Sequence, residues 1–150
     1  MAKIIKNFTL FCTGGLGYGL IELMWRGGTH ISMFFAGGTC FFIIGSLDEF
    51  EYKPSLWTQA VLSGALITAV EFLSGLLVNL LLGLDVWDYS GLPMNLMGQI
   101  CLPFSALWVL LSVPAIYLED YLRHVLFLEP MKKQRLLPAI PGKIKSAQSR

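Results

Sequence analysis

The chain has 150 residues, 55% hydrophobic and only 14% charged, with a mean hydropathy of +0.63. Soluble domains carry about 25% charged residues, so a water-soluble globule is a poor fit and a single membrane-embedded domain a good one. Eleven basic residues against ten acidic leave a net charge of +1, which gives no case for a nucleic-acid partner.

A bilayer core of about 30 Å takes about 20 mostly apolar helical residues, and four segments qualify: 8–25, 31–47, 56–84 and 93–118. The expected fold class is therefore all-α, a polytopic membrane protein of four transmembrane helices joined by short loops. Lys3 and Lys6 precede the first span, which runs on to Trp25 without an A-x-A-like site, so no cleaved signal is expected. The second span is at the short limit, and the third is long enough to tilt. Pro103 and Pro114 fall inside the fourth, which predicts a kink. The connecting segments 26–30, 48–54 and 85–92 are too short to fold alone.

Beyond the fourth span, Leu118, Tyr121, Leu122, Val125 and Leu126 lie at helical spacing opposite Glu119, Asp120, Arg123 and His124. That is the pattern of a C-terminal amphipathic helix on the membrane surface, or of a simple extension of the span. Residues 1–129 thus form the membrane domain. Residues 130–150 carry Lys132, Lys133, Arg135, Lys143, Lys145 and Arg150 with no acid, and read as a basic, disordered tail. With four spans, Lys3, Lys6, Lys53 and the tail share one side and leave Arg26 on the other, so both termini are expected in the cytoplasm, at the cell inner membrane.

A polar group facing lipid is expensive, so polar and small residues within a span mark its inner face. Cys12, Gly15, Gly19, Glu22 and Arg26 form one stripe of the first span. Ala60, Gly64, Thr68, Glu71, Gly75 and Asn79 form one of the third, with Leu66, Val70, Leu73, Leu77 and Leu80 opposite. In the fourth, Gly98, Cys101, Ser105 and Ser112 recur, with Asn95 and Gln99 beside them. Alternating span direction places Glu22, Arg26, His30, Asn79, Asn95 and Gln99 in the outer half and Glu71 near mid-membrane. The expectation is a bundle closed by glycines and leucines in its cytoplasmic half and lined by polar groups outside.

Glu71 reads as a buried carboxylate for a cation, a proton or the polar group of a ligand, or as a hydrogen-bonded structural carboxyl. Glu22 and Arg26 stand at i, i+4, fit for a local salt bridge or for ligand contact, and Arg26 also has the reach to snorkel to the headgroups. His30 opens the second span. Trp25, Trp57 and Trp87 read as interface anchors, and Asp88 with Tyr89 as a turn before Pro93 or as a lid. The three cysteines (Cys12, Cys40, Cys101) read as buried thiols, with neither disulfide nor metal spacing. No GxxxxGK[ST], GxSxG or HExxH occurs, so no catalytic, metal or cofactor site is assigned, and ATP-driven work needs a separate ATPase subunit.

The run Glu71-Phe72-Leu73-Ser74-Gly75, then Trp87-Asp88-Tyr89-Ser90, Asn95, Gly98, Ile100-Cys101-Leu102, Ser105 and Trp108 resembles the ABC-transporter type IV permease family of small bacterial multi-pass proteins. Gly19 to Glu22 and the stretch Arg26, Thr29, His30, Ser32 and Met33 also look like it. Gln99 stands where the family commonly has a basic residue, and Asn79 near where many members carry a second acid. The resemblance implies a permease-like subunit. Together with the polar stripes it gives the functional expectation: an outward-facing polar pocket for a small polar or ionic ligand, made by Glu22, Arg26, His30, Glu71, Asp88, Asn95 and Gln99. The alternatives are a non-transporting membrane scaffold and an enzyme acting on a lipid or envelope precursor. Besides the lipid bilayer, the expected partners are further copies in a homo-oligomer or a larger membrane complex.

Overall fold

The computed structural model describes residues 2–47 and 54–136. The acidic loop as far as Lys53, and the tail from residue 137 onward, lie outside the described residues. The chain is all-helical in its main elements: α1 (Ala2–Arg26), α2 (Ile31–Leu47), α3 (Leu56–Gly75) and α4 (Leu102–Phe127), with α3 prolonged by a π-helical turn, Leu76–Leu81. The α3 helix and its π turn form one apolar rod of 26 residues and α4 another, both long enough to cross a membrane, and α2 is a shorter apolar helix.

Glycines set the first helix pair. A Cβ on Gly14 or Gly15 would overlap Phe41 or Phe34 of α2, and one on Gly37 or Gly38 would overlap Tyr18 or Phe11 of α1. The two backbones therefore approach as closely as small residues permit, the packing expected where the surroundings give no hydrophobic push. The second pair, α3 and α4, meets where Gly64 faces Val109. The α2 helix touches all three others, whereas α1 and α4 barely meet. Ile44, Leu56, Ile67, Trp108 and Ile116 fill the centre. Outward faces carry exposed leucines and aromatics, among them Phe8, Leu20, Phe35, Leu73, Leu77 and Leu110.

Ser55 caps α3, its side chain accepting the Thr58 N–H, a contact worth about 1 kcal/mol. At the far end the π turn directs the Leu82 N–H to the Leu77 carbonyl, 3.0 Å away. The wider turn puts Val78 and Asn79 side by side on the inner face.

The fourth helix corrects the sequence reading at its start and, at its end, decides for the extension of the span over a separate surface helix. Residues 93–101 are not helical: Met94, Met97 and Gly98 all adopt left-handed backbone, and the segment makes a two-residue antiparallel ladder, β1 (Asn95–Leu96) with β2 (Ile100–Cys101). The Asn95 side chain drives this by accepting the Gly98 N–H and donating to the Ser90 and Leu92 carbonyls, a local alternative to helical bonding typical of asparagine. Gly98 is required here, because its φ is +68° and a Cβ would press on the Asp88 carboxylate. Pro103 therefore sits in the first turn of α4, where its missing N–H costs nothing, and only Pro114 is interior.

At the other end no separate surface helix forms. The α4 helix runs unbroken to Phe127, and Glu119, Asp120 and Arg123 face inward, at 2%, 5% and 5% exposure, while Tyr121, Val125 and Leu126 face out. The amphipathic pattern was legible, but its inner and outer faces are reversed from the surface-helix reading. Nor is this end of the bundle closed by glycines and leucines. Glu119 pairs with Arg123, which also donates to the Gly45 carbonyl at 3.2 Å. Lys6 pairs with Glu129 at 2.6 Å, tying the start of α1 to the end of α4. Residues 130–136 stay on the bundle: Gln134 bridges Asp120 and Gln59, and the Arg135 carbonyl accepts the Leu56 N–H.

Candidate functional site

At the end opposite Lys6, the segment 82–101 folds back over the helices and completes a polar cluster around Glu71. Glu71 is buried on the inner face of α3. Its Oε1 accepts from the Tyr89 hydroxyl at 2.9 Å and its Oε2 from the Trp108 indole N–H at 2.8 Å. Both partners donate, so in this arrangement both carboxyl oxygens serve as acceptors. Tyr89 is fixed by stacking on Phe104, with ring centroids 4.7 Å apart. Trp108 lies 5.7 Å from the ring of Tyr18 on α1.

A second layer holds the fold-back segment in place. Asn79 donates to the Trp87 carbonyl at 2.9 Å and to Gln99 Oε1 at 2.8 Å, and accepts the Val86 N–H at 2.8 Å. The Trp87 indole donates to the Gln99 carbonyl at 3.0 Å, and Gln99 Nε2 donates to Met97 O. Gln99 also packs on Gly75, where a Cβ would overlap its amide. Trp87 is only 6% exposed, which corrects its reading as an interface anchor; Trp25 and Trp57 are exposed, as an anchor would be.

The sequence-predicted residues divide into three groups. Glu22 is buried on α1, pairing with Arg26 at 2.7 Å and accepting from the Thr29 hydroxyl at 3.0 Å. Arg26 reaches across to the Val86 carbonyl at 2.8 Å. Glu22, Arg26, Glu71 and Gln99 thus converge on one end through this network. Asn95 and Asp88 are exposed and spend their side chains on the fold-back turns: Asp88 accepts the Ser90 N–H and hydroxyl, both at 2.8 Å. The Ser90 backbone bond, followed by the hydroxyl bond, holds the Asp88 carboxyl below the usual carboxylate range. His30 caps the first turn of α2 through Ser32 and borders a separate surface cavity of about 390 Å³ between α1 and α2 that Glu71 does not line.

The space beside Glu71 is small. A cavity of about 10 Å³, lined by Tyr18, Ala36, Cys40, Ser74 and Trp108 among others, adjoins the carboxylate, room for about one water. No group of three or more His, Cys, Asp or Glu among the described residues is arranged to hold a metal ion, and the three cysteines are free thiols.

Tyr18 and Trp108 were not among the expected site residues, and Tyr89 was expected only as a turn or lid residue beside Asp88. Trp108 sits at the helical spacing of Cys101, Ser105 and Ser112, and its indole N–H needs a buried acceptor, so the inner stripe of α4 already pointed to it. The buried charges Glu119, Asp120 and Arg123 form the polar face expected of an amphipathic helix, turned inward rather than to solvent.

The family model described as "Putative ABC-transporter type IV" matches residues 5–140. No solved structure matches the chain.

Proposed function

Because the chain belongs to the family described as "Putative ABC-transporter type IV", we propose that it is the transport-type subunit of a membrane system and that Glu71 is its central ligand-binding group. All four helices cross the bilayer in this reading. The belt of exposed apolar side chains on every helix supports it, and so does the Lys6–Glu129 pair, which brings the two ends of the helical domain to one side, as an even number of crossings requires. Lys3, Lys6, Lys132, Lys133 and Arg135 all belong to that side, which the positive-inside rule makes cytoplasmic. The Glu71 cluster then lies toward the exterior of the inner membrane.

One observation carries the proposal. A carboxylate within a membrane helix costs a few kcal/mol or more, yet Glu71 is kept, with donors brought to it from two other elements. A small polar or ionic ligand reaches it when the fold-back segment lifts Tyr89 away; Glu22 and Arg26 line the approach, and Gln99 orients the segment. His30, Asp88 and Asn95 border the outer opening. ATP hydrolysis falls to a separate subunit, and four helices alone make a thin wall, so the working unit is a homo-oligomer or a larger complex.

The test is binding and uptake of radiolabelled tetramethylammonium and Na⁺ by proteoliposomes holding the full-length protein. Glu71→Gln is expected to stay folded and to lose both signals by about tenfold or more, the equivalent of one lost charge-assisted contact; wild-type behaviour of the variant overturns the proposal. The small size of the cavity beside Glu71 favours a second reading, a non-transporting scaffold. Proteoliposomes that bind and move neither ion, with Glu71→Gln altering only stability, decide for it.

A further inference from the structure

The sparse contact between α1 and α4 leaves a groove of about 270 Å³ on the side of the bundle, walled by Gly14, Gly17, Ile44, Leu111, Ala115 and Leu118 and almost wholly apolar. Thr13, Tyr18 and Ser112 supply the few polar atoms of its walls. Four residues, Tyr18, Cys40, Ile67 and Trp108, belong both to this groove and to the small cavity at Glu71. Trp108 turns its indole N–H to Glu71 and its ring to Tyr18. One end of an apolar channel thus abuts a buried carboxylate through a pair of aromatic rings. Each carboxylate oxygen has one donor already, which leaves each a second acceptor direction.

We propose that the groove and Glu71 together form one binding site for a single-chain lipophilic cation, its hydrocarbon chain lying between α1 and α4 and its ammonium head beside Tyr18, Trp108 and Glu71. This rests on the reading of Glu71 as the ligand-binding group and names the class of ligand. The chemistry divides along the site. The apolar walls favour methylenes, and their opening on the outer face of the bundle admits a chain from the bilayer. At the Trp108 end an ammonium gains from the faces of two aromatic rings and from an anion held in low dielectric. An anionic head meets Glu71 and Glu22 instead and is rejected.

The groove is testable apart from the carboxylate because of Gly17, which lines it and where an added Cβ meets nothing within 4 Å. Gly17→Phe adds a ring at the groove wall from a Cβ position free of contacts, on a helix where phenylalanine is better tolerated than glycine. The probes are dodecyltrimethylammonium, tetramethylammonium and dodecyl sulfate, with the full-length protein in zwitterionic nanodiscs and empty nanodiscs as reference. Dodecyltrimethylammonium is expected to bind saturably and to weaken about tenfold or more with either Glu71→Gln or Gly17→Phe. Tetramethylammonium responds to Glu71→Gln alone, and dodecyl sulfate shows no binding above empty discs. A single cooperative unfolding transition certifies that both variants are folded, and Ala115→Phe repeats the groove test from α4. If the long-chain probe ignores both groove variants while tetramethylammonium still depends on Glu71, the groove assignment falls and the Glu71 reading stands. If dodecyl sulfate binds as well as the cation, or if neither ammonium ion binds, the lipophilic-cation assignment is overturned, and the latter result removes the Glu71 reading with it.

Discussion

The Glu71 cluster is open to a double-mutant cycle whose outcome follows from its hydrogen-bond inventory. Tyr89→Phe deletes the hydroxyl that donates to Oε1 and keeps the ring that stacks on Phe104, so packing is little changed. A hydrogen bond to a charged group contributes about 1.5–3 kcal/mol, and that is the expected loss. In a Glu71→Gln background the amide has one acceptor oxygen, which the Trp108 N–H claims, since an indole only donates. The new NH₂ then donates to the Tyr89 oxygen, a neutral bond of about 0.5–1.5 kcal/mol. The two substitutions are therefore expected to couple by about 1–1.5 kcal/mol, measured by graded SDS unfolding in mixed micelles with tryptophan fluorescence as the probe. Additivity to within about 0.3 kcal/mol would refute the claim that the tyrosine hydroxyl serves a carboxylate.

Three further outcomes follow from other parts of the molecule. Arg123→Met strands Glu119 in a buried site and is expected to cost about 3–5 kcal/mol, whereas Arg123→Met with Glu119→Met recovers most of that loss in the same unfolding assay; an equally unstable double variant contradicts the pairing. The Lys6 hydrogen bond and charge hold the Glu129 carboxyl below its usual range, so its contribution is present above the ordinary glutamate pKa of about 4.3 and is lost as pH falls through the lower folded value. Lys6→Met should flatten that part of a stability-versus-pH curve, and an unchanged curve rejects the tie between α1 and α4. Gly75→Ala forces its Cβ onto the Gln99 amide that Asn79 holds, with a loss of about 1–3 kcal/mol for overpacking that Gln99→Ser should relieve.

Composition and periodicity were enough to read the helices and their inner faces, because burial of Glu22, Glu71, Asn79, Gly64 and Gly75 follows from where polar and small residues recur. The segment from Pro93 to Cys101 was not legible as a hairpin. Its apolar residues match a helix as well as a loop, and the decision rests with the Asn95 side chain and three left-handed residues. The π turn is equally silent in the sequence, since Leu76–Leu81 reads as an ordinary continuation of the apolar helix. As for the site, spacing located Glu71, but its partners Tyr89 and Trp108 lie 18 and 37 residues away, and only the fold-back of the loop brings the tyrosine hydroxyl inward. The apolar groove is a product of the sparse contact between α1 and α4, which no local pattern records.

Cysteine accessibility in a variant with Cys12, Cys40 and Cys101 replaced by Ala tests most directly whether the bundle spans the membrane with the Glu71 cluster toward the outside. New cysteines replacing Gly28 and Gly91, whose sites are open, are expected to react with a membrane-impermeant maleimide on intact cells, while cysteines replacing Lys3 and Lys133 react only after permeabilisation. Labelling of the Gly28 and Gly91 sites from opposite sides, or of the Lys3 and Lys133 sites from outside, would contradict it.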